Sequence, residues 1–158
     1  MIQGCLSAIE QFQKIVGKNH ALTDKSDTTL YTIDWTRRFQ GEPLAVLRPG
    51  SESEILDILK VCREQGIFVI PQGGNSGLVG GAVPWQTPPN TVIISTKRLV
   101  EIGPLDLIGG TLHVQAGVLL GDIHRKLDGS GWLYGVDLAA RDTATIGGTV
   151  ATNAGGIH

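Results

Sequence analysis

The stretch LAVLRPGSESEILDILKVCREQGIFVIPQGGNSGLVGG, from Leu44 to Gly81, decides the fold. It opens on a short apolar run, LAVL, which Arg48-Pro49-Gly50 ends, as expected for a buried strand. A second apolar run, IFVI at 67–70, predicts a second buried strand. The segment between them has a helical pattern. Strand, helix and strand joined by such short links form a βαβ unit, whose crossover should be right-handed.

The helix between the two strands carries clear end signals. Ser51 starts it, and Glu54 three residues later completes a capping box. Gly66 lies at its C-terminal end, where glycine accepts the left-handed conformation. The inner face of this helix is predicted to consist of Ile55, Leu56, Leu59 and Cys62.

A glycine-rich run, PQGGNSGLVGG at Pro71–Gly81, follows the second strand directly, and we call it the first glycine segment. Positive φ angles at three of its glycines would turn several backbone N–H groups to one side, as in a nest that binds anionic oxygen: Gly73, Gly74 and Gly77. Asn75 and Ser76 add side-chain donors. The run matches neither a Walker loop nor GxGxxG. A glycine-rich turn without a ligand is therefore the alternative.

The second glycine segment is DLAARDTATIGGTVATNAGG, from Asp137 to Gly156. Its Gly147-Gly148 pair allows close contact with a flat or anionic ligand, and Thr152-Asn153 adds two polar side chains. The pattern shows no closing helix or strand at this end of the chain. The chain can fold back through a strand pair, so the two segments together predict one extended ligand held at two points. A dinucleotide fits that description.

The flanking regions place these segments in an α+β fold. Residues 4–17 predict a helix with one apolar face, made of Leu6, Ile9, Phe12 and Val16. Residues 19–41 are polar and turn-rich, which indicates an irregular arm with an aromatic pair at Tyr31 and Trp35. Residues 91–95 predict a third strand.

Beyond the third strand, a hairpin and a helix are expected. Residues 100–106 and 111–116 predict two strands joined through Gly109-Gly110. Residues 118–128 predict a helix that Gly129 and Gly131 end.

Composition excludes several classes of function. The formal net charge is −2, with both signs mixed along the chain, so no basic patch for nucleic acid or an anionic membrane is expected. No apolar run approaches a membrane span. We interpret Cys5 and Cys62 as free thiols. These free thiols, together with first residues that lack a signal sequence, predict a cytoplasmic protein.

The remaining polar residues give weaker signals. The histidines lack metal-ligand spacing, so no metal site is expected: His20, His113, His124 and His158. Arg37 and Arg38 could reach a carboxylate, although a solvated arginine pair is the commoner arrangement. We name no catalytic residue.

Several strings together resemble one known family. PQGGNSGLVGG, VDL and IGGTVATNAGG resemble the FAD-binding domain, of the PCMH type, of the vanillyl-alcohol oxidase superfamily. TIDWTRRFQGEPLAVLRP and SESEILDILKVCREQGIFVIPQGG resemble its FAD-linked D-2-hydroxyacid dehydrogenases. This branch includes D-lactate dehydrogenase, the glycolate oxidase flavin subunit and D-2-hydroxyglutarate dehydrogenase. The resemblance covers most of the chain, from Tyr31 to Ile157.

The resemblance implies a two-lobed fold, with a βαβ lobe followed by a lobe of mixed strands and FAD stretched between them. It implies that residues in and near the first segment surround the diphosphate or line the adjoining walls: Gln72, Gly73, Gly74, Asn75, Ser76, Gly77, Gly80, Gly81 and Ser95. It implies that residues of the second segment approach the flavin, ribityl and ribose: Asp137, Thr143, Ile146, Gly147, Gly148, Thr149 and Asn153.

Two departures from the family pattern refine these expectations. Many members bond the flavin covalently through a histidine after the paired glycines, where this chain has Asn75, so noncovalent FAD is predicted. Gly135 replaces a proline two residues before Asp137, which loosens the turn but leaves Asp137 available.

The family pattern also sets the expected domain organisation. It divides the chain into an N-terminal helix and arm (1–40) and an FAD-binding domain (41–158) truncated at its C-terminal side, without the cap domain that binds substrate. Exposed apolar surface and self-association are expected where the missing half would pack.

Two functions follow as hypotheses. In the first, the chain is the FAD-binding fragment of an oxidoreductase that passes hydride from a D-2-hydroxyacid to FAD. The electrons then go to a carrier, or in an oxidase variant to oxygen. In the second, it is a non-catalytic FAD- or nucleotide-binding module, or a subunit of a larger assembly.

Overall fold

A computed structural model describes the backbone of residues 2–156 and the side chains of residues 8–156. The expectations for Cys5, Leu6 and His158 therefore lie outside the described side chains. Helices and strands are mixed along the chain, which confirms the α+β class. The elements are α1 (Ile2–Val16), a 3-10 turn (Lys18–His20), β1 (Ala21–Leu22), α2 (Lys25–Thr32), β2 (Ala45–Leu47), α3 (Glu52–Gln65), β3 (Phe68–Gln72), β4 (Thr91–Ser95), β5 (Ile102–Asp106), β6 (Thr111–Val114), α4 (Leu120–Leu127) and α5 (Ile146–Ala151).

The larger sheet has four strands in the order β1-β2-β4-β3. Strands β2 and β3 both run parallel to β4, with Val46 and Ile70 paired to Ile93 from opposite sides. The strand–helix–strand unit is therefore present, but its two strands flank β4 instead of pairing with each other. All five residues of β4 are buried.

Strand β3 lies at an edge of the sheet, and the prediction that it is a buried strand is wrong. It pairs only with β4, and Phe68 is 54% exposed. An apolar run such as IFVI does not distinguish a central from an edge strand. This position matters because the first glycine segment leaves the sheet from β3.

Helix α3 packs on the same core as α1, although its buried face differs from the predicted one. Ile58, Val61 and Cys62 are buried, whereas Leu56 and Leu59 are 59% and 41% exposed. Ile58 and Cys62 lie in one cluster with Phe12 of α1. The two leucines belong to a neighbouring stripe of the helix, and packing against α1 and the sheet decides which stripe is covered.

The ends of α3 follow the predicted signals with one shift. The Ser51 Oγ accepts a hydrogen bond from the Glu54 N–H at 3.2 Å. The Glu54 carboxylate accepts from the N–H of Gly50 at 2.7 Å, one residue earlier than a capping box requires. Gly66 ends the helix in the left-handed conformation, with φ 63°.

Residues 19–41 are not an irregular arm, since they contain β1 and α2. The two residues of β1 are too few to show a strand pattern in the sequence, and they form a strand because they pair antiparallel with β2. Helix α2 is polar, but Thr28, Tyr31 and Thr32 are buried. The two aromatic residues of this region differ in burial, since Tyr31 is 5% exposed while Trp35 is 73% exposed.

The second lobe has the predicted hairpin and helix. Strands β5 and β6 pair antiparallel, with Ile102 opposite Val114. Ile123 and Leu127 of α4 cover them, together with Val118 just before that helix. Gly129 and Gly131 follow α4 with φ values of 70° and 82°. Helix α5 closes the described chain, and the sequence pattern missed it because glycines and threonines are poor helix formers.

Candidate functional site

The first glycine segment is anchored at both ends by one buried side chain. Gln72, at the end of β3, is 2% exposed. Its Nε2 donates to the carbonyl of Tyr31 at 2.9 Å and to the carbonyl of Ala82 at 2.7 Å. Gln72 therefore fixes the path of the segment, and both donor positions of its amide are already used by the protein.

Between these anchors the backbone keeps its donors open. Within the described part of the chain, the N–H groups of residues 74–82 donate to no protein acceptor. Such a run of unpaired amides is the property that an anion-binding loop needs. The first segment therefore has unpaired backbone N–H donors of the kind that the predicted anion site needs.

The conformation of the segment differs from the prediction. The positive φ values lie at Asn75 (51°) and Gly80 (75°), and not at Gly73, Gly74 or Gly77. Asparagine tolerates the left-handed region better than most residues. Here the Nδ2 of Asn75 also donates to the carbonyl of Ile33 at 2.8 Å, which ties the turn to the end of α2.

The structure brings the two glycine segments into direct contact. A Cβ on Gly74 would lie 1.6 Å from the carbonyl oxygen of Thr143. A Cβ on Gly73 would lie 2.2 Å from the Oγ1 of Thr145. These two glycines are therefore required because protein atoms of the second segment press against them.

The second glycine segment uses its amides within the protein. Thr145 caps α5, since its Oγ1 accepts from the N–H of Gly148 at 3.3 Å. The N–H of Ile146 and of Gly147 donate to backbone carbonyls of the strand-to-helix connection, each at 2.9 Å. Gly147 also packs on Ala116, 2.8 Å from where its own Cβ would lie. The Gly147-Gly148 pair therefore supplies shape to the site, while its amides are occupied.

The remaining predicted residues fall into three groups. Those buried in the protein are Ser95, Asp137 and Thr149. Ile146 is partly buried against the second-lobe core, and Gly80 packs on Phe39. The residues open to solvent are Gly77, Gly81, Thr143 and Asn153.

Asp137 is part of a small polar cluster. Its Oδ2 accepts a hydrogen bond from Arg141, and its Oδ1 lies 3.8 Å from the Nε2 of His124. That Oδ1 is buried and has no hydrogen-bond partner in the described part of the chain. The carboxylate is therefore held by protein groups on one side and keeps one unpaired acceptor.

A cleft of about 880 Å³ lies beside the first segment, and we call it the main cleft. It is lined by residues between Thr29 and Gln40 and by Gly74, Asn75, Ser76 and Thr143. A second cleft of about 420 Å³ continues past Trp35 toward Leu78 and Ala140. The open amides of Gly74, Asn75 and Ser76 thus adjoin the larger space, and both apolar and polar side chains line the smaller one.

A tight turn shapes the outer wall of the main cleft. The carboxylate of Asp34, 4% exposed, accepts from the N–H groups of Thr36, Arg38 and Phe39, each at 3.1 Å. It also accepts from the Thr36 hydroxyl at 2.6 Å. Burial opposes ionisation of Asp34, but these hydrogen bonds outweigh it and hold its pKa below the usual value.

We call residues 34–39 the Asp34 turn. Sequence reasoning did not identify it as part of the site. The available signal was an aspartate two residues before a threonine, which is typical of an Asx turn.

The residues present fit the diphosphate of a dinucleotide. Open N–H groups at 74–82 can donate to its oxygens, and Gly77 and Gly81 leave open space above the backbone. The Oδ1 of Asn75 is buried and has no partner among the described residues; it is an acceptor, so a hydroxyl or N–H group of the dinucleotide could satisfy it, whereas the diphosphate could not. Among those residues, no cluster of His, Cys, Asp or Glu could hold a metal ion, and no helix could span a membrane.

Comparisons with known proteins agree with this geometry. The family described as FAD binding domain matches residues 43–158. A D-2-hydroxyglutarate dehydrogenase of Xanthomonas citri pv. viticola is 38% identical over 150 residues, which cover 95% of this chain and 31% of that protein. A Schizosaccharomyces pombe protein, provisionally named a mitochondrial D-lactate dehydrogenase, is 32% identical over 157 residues, covering 95% of this chain and 29% of that protein.

The fold also matches solved structures. An alkyldihydroxyacetonephosphate synthase superposes with a TM-score of 0.85 at 21% identity, over 95% of this chain and 30% of that one. The chain therefore spans about 30% of the length of the relatives it matches.

Proposed function

The chain belongs to the FAD-binding domain family, and on that premise we propose that it forms the FAD-binding part of a flavin-dependent dehydrogenase of D-2-hydroxyacids. The observation that carries the proposal is the row of open amides at 74–82, which lies against a second glycine segment whose Gly147 and Gly148 amides donate within the protein. When bound, FAD supplies the redox chemistry. The residues of this chain bind and orient it, as proteins generally do for such cofactors.

The substrate class follows from the names of the relatives. One is a D-2-hydroxyglutarate dehydrogenase and another is named a D-lactate dehydrogenase. Both names specify a D-2-hydroxyacid. Glycolate, which has no stereocentre, is the smallest 2-hydroxyacid and is a third candidate. We assign no acid, base or carboxylate-binding residue for the substrate within this chain.

We propose that FAD is held without a covalent bond. The position after the paired glycines is Asn75, whose amide has no nucleophilic nitrogen and whose Nδ2 already donates to Ile33. Denaturing the purified protein in acid should release all of its flavin into the supernatant. Flavin that stays with the precipitated protein would overturn this proposal.

The main test uses the full-length protein with a pair of matched variants. Gly77 and Gly135 both lie open, with no atom of the described residues within 4 Å of an added Cβ, but only Gly77 is in the first segment. Gly77→Asp places a negative charge among the open amides, so FAD affinity should fall by about tenfold or more, whereas Gly135→Asp should leave it unchanged. Flavin absorbance and fluorescence titration measure both.

Turnover is assayed with D-lactate, glycolate and D-2-hydroxyglutarate and a dye acceptor. We expect oxidation of at least one of them. A protein that takes up no FAD would sink the proposal. FAD binding without turnover of any 2-hydroxyacid would instead favour a non-catalytic binding module.

Two finer proposals concern the surroundings of the protein. Leu107, Ile108 and Leu133 are each more than 60% exposed, which favours self-association of this chain when it is expressed alone. Light scattering that gives a strictly monomeric mass would contradict it. The cytoplasmic location is also a proposal, and cell fractionation tests it.

A further inference from the structure

The first glycine segment carries no charge with which to neutralise a diphosphate. No Asp, Glu, Lys or Arg lies between Glu64 and Lys97. The open amides at 74–82 offer only the partial charges of backbone dipoles. A ligand with two negative charges in this position would therefore gain from a cation that another part of the chain supplies.

Arg37 is the cation that lines the main cleft. It lines the cleft together with Gly74, Asn75 and Ser76, and it is the one Lys or Arg among the described lining residues. Its guanidinium makes no hydrogen bond or ion pair within the described part of the chain. An arginine that has no side-chain partner among the described residues and that lines the same cleft as open amide donors has the chemistry of an anion ligand.

The Asp34 turn holds Arg37 in an unfavourable backbone conformation. Arg37 has a φ of 58°, in the left-handed region that residues with a Cβ rarely adopt. The turn imposes it, because the Asp34 carbonyl accepts from the Arg37 N–H while the Asp34 carboxylate accepts from the next two N–H groups. The carboxylate is fully used by these bonds, so it does not neutralise the guanidinium by a direct ion pair.

We propose, on the basis of the proposed FAD site, that Arg37 binds the diphosphate of FAD across the main cleft. The amides of the first segment bind one side of the anion, and the guanidinium binds the other. Arg37 and the open amides then form one binding site from two segments that are more than thirty residues apart along the chain.

The neighbouring arginine is a matched control. Arg38 belongs to the same turn and is also exposed, but it does not line the main cleft. Replacing either residue removes one positive charge from the same turn. A difference between the two variants therefore reports on position and not on net charge.

The test titrates the full-length apoprotein with FAD, following flavin fluorescence at low and high salt. Arg37→Gln should raise the Kd of FAD by about tenfold, because a charge-assisted contact to phosphate is lost. Arg37→Lys should recover part of the affinity, and Arg38→Gln should stay within about twofold of the wild type. The salt dependence of the Kd should be weaker in Arg37→Gln, since one fewer charge pair is screened.

The remaining outcomes separate this proposal from the proposed function. Thermal unfolding of each apoprotein checks that the Arg37 variants keep the wild-type midpoint. A midpoint that falls together with the FAD affinity would assign Arg37 a structural role and overturn the proposal.

If the wild type binds FAD but Arg37→Gln and Arg38→Gln have equal Kd values, this proposal alone is overturned. A raised hydroxyacid KM with an unchanged Kd for FAD would make Arg37 a substrate ligand and would also overturn it. A wild type that binds no FAD overturns both proposals.

Discussion

The two glycine segments have similar compositions and opposite uses. In the first, the N–H groups of 74–82 have no acceptor among the described residues, and no described atom contacts an added Cβ at Gly77. In the second, Gly147 and Gly148 donate to protein oxygens, and Gly156 packs against the backbone of Asp137. Glycine content indicates that something approaches the backbone closely. The hydrogen bonds decide whether that is a ligand or another part of the chain.

The largest expected effect comes from the glycine that joins the two segments. Gly74→Ala would place a Cβ 1.6 Å from the carbonyl oxygen of Thr143, so the segments would have to separate. We expect the free energy of unfolding to fall by about 3 kcal/mol or more, measured by urea denaturation. Gly77→Ala should change it by less than about 0.5 kcal/mol. Equal stabilities for the two variants would mean that the contact between the segments is not formed.

The anchor of the first segment should have the next largest effect. Gln72→Leu leaves the carbonyls of Tyr31 and Ala82 without their side-chain donor. Losing these buried hydrogen bonds should cost about 2 kcal/mol in urea denaturation and should weaken FAD binding. Gln86→Leu, at an exposed position, should do neither. A stable Gln72→Leu variant with normal FAD affinity would show that the segment holds its path without Gln72.

The cap of the second segment is expected to contribute less. Thr145→Val removes the oxygen that accepts from the N–H of Gly148 and frees that amide, which makes the second segment more like the first. The cost should be about 1 kcal/mol, the usual value for a lost N-cap, and Thr145→Ser should restore it. If both variants unfold at the same urea concentration, the cap does not stabilise α5.

The smallest expected effect is a dependence on pH from the Asp34 turn. The pKa of Asp34 is lowered in the folded protein, so its ionised form contributes stability that is fully present above its unfolded pKa, about 4. That stability is lost as the pH falls through the lowered value. The stability difference between the wild type and Asp34→Asn should therefore shrink on acidification below about pH 4. A difference that stays constant from pH 6 to pH 3 would contradict this assignment.

Sequence signals within a few residues, such as helix caps and apolar runs, predicted the helices and strands whose ends depend on those same residues. Ser51 and Gly66 bound α3 as predicted, and the apolar run at 91–95 is the buried strand β4. The pattern missed β1 because two residues carry no period, and it missed α5 because tertiary hydrogen bonds stabilise a helix of weak formers. The exposure of Leu56 depends on where α1 packs, which no local pattern contains.

The site was predictable to a similar degree. The sequence located both glycine segments and the residues in them, and the structure brings the segments together. The sequence predicted positive φ at three glycines, whereas Asn75 and Gly80 adopt it. The hydrogen bond from Asn75 to Ile33 holds this turn, and a local pattern does not contain it because the two residues are far apart in sequence. For the same reason the Asp34 turn was not expected beside the first segment. Their proximity arises only when α2 packs on the sheet.

The position of β4 has a consequence for how the chain assembles during synthesis. Strands β2 and β3 are made first, yet β4 lies between them and is the partner of both. Strands β2 and β3, within residues 45–72, therefore cannot join one sheet until Ser95 has left the ribosome. Before that, the place of β4 between them is empty. Until β4 pairs with β3, no ordered strand holds the start of the first glycine segment in place. Cofactor capture should accordingly begin only after this late insertion, and a ribosome stalled before Thr91 should display a nascent chain that cannot retain FAD.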